Sequence, residues 1–93
     1  MAKLNDDAIA ERLDALSGWT RAGDTITKTY RLPNFPAAIA FVTQLAFRAE
    51  AANHHPDIDI RYNKVTITLS THDAGGLTPK DFDLAAAADE MMG

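Results

Sequence analysis

The three histidines of the chain, His54, His55 and His72, all fall between positions 54 and 72. Imidazole is the side chain whose ordinary pKa, about 6.5, lets it exchange protons near neutral pH. Two imidazoles in different surroundings can therefore serve as one acid and one base. Glu50 precedes His54 by one helical turn, so carboxylate and imidazole can meet if the last turn stays helical. His72 approaches from another stretch of chain and shares the polar parity of the strand before it. Plainer readings stand beside these: a histidine at a helix C-terminus also caps orphan carbonyls, and His55 and His72 taken singly read as surface residues. No HExxH or comparable ligand spacing occurs, and adjacent residues project apart, so no metal centre is expected. The chain has no cysteine, which excludes disulfides, thiolate metal sites and a cysteine nucleophile. Trp19 reads as core or as an aromatic wall for a planar ligand. Asp81 is explained as a capping acid that could also reach a histidine, whereas Asp57 and Asp59 read as solvated and Tyr62 as structural.

Local signals define the elements that must position these groups. From Asn5 to Leu16 the sequence predicts a helix capped by Asn5 or Asp6, with Ile9, Leu13 and Leu16 on one stripe and Gly18 as its stop. A hairpin follows, Trp19 to Ala22 and Thr25 to Leu32 around Gly23-Asp24. Asn34-Phe35-Pro36 opens the longest helix, whose apolar face is expected to run through Phe35, Ile39, Val42, Leu45, Ala46, Ala49 and Ala52. It must end near Asn53 or His54, because Pro56 pushes His55 out of the helical region. A second hairpin is expected from Ile58 to Tyr62 and Lys64 to Thr71, with Val65, Ile67, Leu69 and Thr71 on one face. His72 to Gly76 reads as a loop. The last helix starts at Thr78-Pro79-Lys80-Asp81 with a capping box, has Leu84, Ala87, Ala88 and Met91 inward, and frays at Met91-Met92. The order helix, hairpin, helix, hairpin, helix predicts an α+β two-layer sandwich: a four-stranded, mostly antiparallel sheet with three helices on one face.

Composition narrows the function classes. Ninety-three residues are room for one domain, 1–93, with 46% hydrophobic and 24% charged residues, a soluble globular mixture. A chain this short is marginal alone, and oligomerisation is a natural remedy. Nine basic against thirteen acidic residues give a net charge of −4, so nucleic acid is not an expected direct partner. The longest apolar run, Ala37 to Val42, is too short for a membrane span, and the N-terminal residues lead into charge rather than a secretory signal. The expected location is the cytoplasm.

Glu50-Ala-Ala-Asn53-His54-His55-Pro56, followed by Tyr62 and then His72, resembles the signature of the pterin-4a-carbinolamine dehydratases. Gly18-Trp19, Tyr62-Asn63-Lys64-Val65, Ile67-Thr68-Leu69-Ser70-Thr71-His72 and Gly75-Gly76-Leu77-Thr78 with Asp81 extend the resemblance from Leu13 to Ala88. It implies dehydration of 4a-hydroxytetrahydrobiopterin to quinonoid dihydropterin, in recycling the pterin used by an aromatic amino-acid hydroxylase. It implies no metal and no redox cofactor, the pterin being the substrate. By the same resemblance His54, His55 and His72 line the site; our own expectation is that His54 and His72 handle the protons while His55 mainly positions the ring. Glu50 orients His54 or binds the ring's polar edge, and Asp81 supports the histidines. Asn53, Pro56, Ser70, Thr71 and Asp73, with Trp19, complete the implied substrate-binding set. A homodimer or homotetramer is implied too. The alternative function is a non-catalytic dimerisation or assembly module that binds a transcription factor or another protein.

Overall fold

Side chains that bond their own backbone start all three helices. In the computed structural model, which describes residues 2–92, Asn5 Oδ1 accepts the Ala8 N–H at 2.9 Å and begins α1, Asp6–Asp14. Asn34 Oδ1 accepts the Ala37 N–H, also at 2.9 Å, and begins α2, Phe35–Ala52, with Pro36 in its first turn. Thr78 and Asp81 form the capping box of α3, Pro79–Met91, with Pro79 at its first position. Met1 and Gly93, the ends of the expected 1–93 unit, lie outside the described residues.

The strands are β1, Thr20–Ala22; β2, Thr25–Arg31; β3, Asp57–Arg61; and β4, Lys64–Leu69. They form one antiparallel sheet in the order β1-β2-β4-β3, with Ile26 opposite Leu69 and Ile58 opposite Ile67. Alternation decides which face is covered. Val65, Ile67 and Leu69 of β4 and Ile26 and Tyr30 of β2 are buried beneath the three helices, while threonines line the other face. The α+β two-layer architecture is therefore the expected one. Ile67 is fully enclosed, so Ile67→Ala should cost about 2–5 kcal/mol. Urea unfolding at fixed protein concentration checks this value.

Several boundaries differ from the sequence reading. α1 ends before Leu16, because Ala15 and Leu16 bond back to Arg12 and Leu13 in a tightened last turn. β4 stops at Leu69 rather than Thr71: β2 begins at Thr25, and Thr71 pairs instead with Gly76. β3 begins and ends one residue early, with Tyr62 at φ 54° in the turn. The expected apolar face of α2 is also turned. Ala38, Phe41, Leu45 and Ala49 are its buried positions, while Phe35 and Ile39 are exposed and Val42 is only partly covered. This helix is apolar on most of its circumference, so spacing alone does not select the face that meets the sheet.

Trp19 belongs to the core. Its indole N–H donates to the Asp89 carboxylate (3.2 Å to Oδ2), and its ring meets Tyr30 edge-on at 6.3 Å. Lys28 Nζ reaches Asp89 Oδ1 at 2.8 Å, and the Tyr30 hydroxyl donates to the same oxygen. Burial first, and the adjacent carboxylate second, push the Tyr30 phenol far above its ordinary range, which keeps it a donor. This cluster fastens the C-terminal half of α3 to β2.

Candidate active site

Three backbone features bring the histidines together. The first is Asn53, which ends α2 in the left-handed conformation (φ 51°, ψ 45°). The His54 N–H then bonds back to Ala49 O at 3.0 Å, a Schellman-type closure, and the chain leaves the helix axis at once. The second is the short 3-10 turn His72–Ala74 beyond β4, closed by Gly75 at φ 74°, where a side chain would be strained. The third is the start of α3, which carries Asp81 toward His54.

His54 Nε2 lies 2.5 Å from Asp81 Oδ1, with both side chains buried, Asp81 completely. Asp81 Oδ2 accepts from the Thr71 hydroxyl (2.9 Å) and from the Thr78 N–H (3.0 Å). The Thr71 hydroxyl proton is thereby used, so the Thr78 hydroxyl donates to Thr71 Oγ1 across 2.9 Å. One carboxylate thus caps α3, ties it to the chain after β4 and holds a ring at the end of α2. A carboxylate only accepts, so the proton between the two groups lies on His54 Nε2, and in the neutral ring the lone pair is on Nδ1.

Glu50 does not meet His54. Its Oε1 lies 2.8 Å from His55 Nε2, in an exposed pair. The left-handed residue between them is the reason: the turn at Asn53 removes His54 from the helical position above Glu50 and brings His55 there instead.

All three imidazoles line one hollow of about 250 Å³, together with Asn53, Thr71, Asp73 and Lys80. An adjoining hollow of about 310 Å³ shares His55 and His72 and is lined further by Asp24, Thr25, Asp57, Thr68, Ser70, Gly75 and Gly76. Of the residues singled out in the sequence, His54, His55, His72, Asn53, Thr71, Asp73 and Ser70 are thereby gathered at one cleft. Asp81 stands behind it, bonded to His54. Glu50 is connected to it through His55. Pro56 follows His55 but lines neither hollow, and Trp19 lies in the core with Tyr30 and Asp89. The aromatic-wall reading of Trp19 is corrected on that ground.

Lys80 and Asp57 are lining residues that the sequence reading did not select. Lys80 carries a signal only in retrospect: it is the neighbour of the capping acid Asp81, so any element that aims Asp81 at His54 brings Lys80 to the rim. Among the described residues no group of three or more His, Cys, Asp or Glu could hold a metal ion, and no helix is long and apolar enough to cross a membrane.

Residues 2–91 match the family described as pterin 4 alpha carbinolamine dehydratase. A protein of Roseiflexus castenholzii named as a pterin-4-alpha-carbinolamine dehydratase is 68% identical over 91 residues, covering 98% of each chain. One of the same name from Chloroflexus aurantiacus is 62% identical over 93 residues and the full length of both. Among solved structures, a transcriptional coactivator/pterin dehydratase from Brucella melitensis superposes with a TM-score of 0.95 at 33% identity, over 98% of this chain and 99% of that one.

Proposed function

The chain belongs to the pterin-4a-carbinolamine dehydratase family and is a dehydratase of the hydro-lyase class; from that premise we propose that the histidine cleft removes water from 4a-hydroxytetrahydrobiopterin. The product is quinonoid dihydropterin. The observation that carries the reading is the convergence of His54, His55 and His72 on one hollow.

The reaction needs an acid for the departing C4a hydroxyl and a base for the N5 proton. His54 suits the base. Asp81 holds its Nε2–H, so Nδ1 offers its lone pair to the N5 proton, and the carboxylate steadies the imidazolium that results. His72, exposed and on a separate element, suits the acid: its N–H protonates the C4a oxygen, the C–O bond breaks and water leaves. The proton gained by His54 and the one lost by His72 balance through solvent. His55, tethered to Glu50, positions the ring, and Asn53, Ser70, Thr71 and Asp73 contact the pterin. Nothing in these steps calls for a metal or a redox cofactor.

The direct test is dehydration of a synthetic 4a-carbinolamine followed by absorbance; no acceleration over buffer would refute the reading. Within it, Glu50→Ala should release His55 and raise KM about threefold while kcat stays within about twofold, because an exposed pair orients rather than transfers protons. Steady-state kinetics read both constants. We further place the enzyme in the cytoplasm, as a homodimer or homotetramer that supports an aromatic amino-acid hydroxylase by pterin recycling. The histidine convergence favours this over a purely protein-binding module, which would have no use for three imidazoles about one hollow.

A further inference from the structure

A separate groove of about 110 Å³ runs between α2 and α3, lined by Arg48, Ala52, Lys80, Asp83, Leu84 and Ala87. Lys80 also lines the histidine hollow, so one side chain borders both depressions. Ala52, Leu84 and Ala87 supply an apolar floor. Two cations stand over it against one carboxylate, and among the described residues neither Arg48 nor Lys80 enters an ion pair. That local excess of positive charge sits on a chain whose net charge is −4.

The chemistry of the ring gives this groove an occupant, on the premise of the dehydratase reading above. C6 of a tetrahydropterin is bonded directly to N5. Its substituent therefore leaves the ring on the side of the histidine that takes the N5 proton, and that histidine is His54. Ala52 precedes His54 by two residues, across the Asn53 turn, and Lys80 is the neighbour of its partner Asp81. A substituent passing His54 is thus delivered to the mouth of the groove. We propose that the α2–α3 groove receives the C6 substituent and that Lys80 and Arg48 select tetrahydropterins whose substituent ends in an anion, such as a phosphate monoester, over those with an uncharged chain.

Two unreactive 7,8-dihydropterins with C6 substituents of equal length test this, one ending in a hydroxyl and one in a phosphate monoester. Their affinities for the full chain are measured by fluorescence titration. An exposed charge pair contributes at most a few-fold, so two cations should give the phosphate ester about a tenfold advantage. Added salt should shrink that advantage by screening, and in the Arg48→Gln/Lys80→Met variant it should fall to about twofold or less. Equal affinity of the two ligands for the unaltered protein, or an advantage that survives in the double variant, overturns the proposal. If the uncharged 4a-carbinolamine is dehydrated while no preference between the ligands exists, this inference fails and the dehydratase reading stands. If neither ligand binds and no carbinolamine is dehydrated, both fail together.

Discussion

Replacing His54 and His72 together by alanine is expected to lower kcat for carbinolamine dehydration by about 10³-fold or more, with the sheet and helices intact. A positioned acid or base contributes about 10²–10⁴-fold, and the two histidines occupy one hollow from different elements. Each single variant should lose about 10²-fold or more, and the double variant less than the product of the two, because groups acting on one transition state are not additive. His72→Ala should leave stability unchanged, since that side chain is exposed and makes no side-chain hydrogen bond among the described residues. His54→Ala should destabilise, because it strips a buried carboxylate of one donor. Stopped-flow absorbance measures the rate, and circular dichroism reports whether the fold survives. Turnover retained in the double variant, in a folded protein, would move the proton chemistry elsewhere.

Asp81 separates stability from catalysis more sharply. Asp81→Ala removes the acceptor for His54, for the Thr71 hydroxyl and for the Thr78 N–H at a position with no solvent exposure. The expected cost is about 3–5 kcal/mol, the range for breaking a buried charged network, which for a domain of this size lowers Tm by more than about 10 °C. Asp81→Asn should behave differently. Its amide oxygen can accept from Thr71 and Thr78, while its NH₂ donates to His54 Nε2. The imidazole proton must then sit on Nδ1, where the lone pair was, so the base is lost although the shape is kept. We expect stability within about 2 kcal/mol of the parent and kcat lower by about 10²–10⁴-fold. Full activity in a stable Asp81→Asn protein would refute the assignment of Nδ1 as the proton acceptor. Thermal unfolding and steady-state kinetics on the two variants supply both halves of the comparison.

How much of this was legible before folding depends on the range of the interaction concerned. The caps at Asn5, Asn34 and Thr78 bond to groups two or three residues away, and the turn at Gly23-Asp24 is closed within its own hairpin. Such features follow from residue type and spacing, and so did the alternation of β4 and the element order. The histidine, glutamate and aspartate set was also readable, through its resemblance to one family, and that resemblance named the family to which the chain belongs. Spacing failed where a single residue redirected the chain. Counting one turn from Glu50 points to His54, and only the left-handed conformation of Asn53 transfers the contact to His55.

The amino-acid order alone therefore determined the element sequence, the helix starts, the covered face of β4 and the family to which the chain belongs. Tertiary structure decided which histidine Asp81 holds, which face of α2 is buried, that Trp19 turns inward to Asp89, and that Lys80 lines both the histidine hollow and a second groove. The division has a physical cause. Caps and alternation depend on bonds a few residues long, whereas these contacts join residues far apart in sequence, and their geometry exists only once α2 and α3 have settled on the sheet.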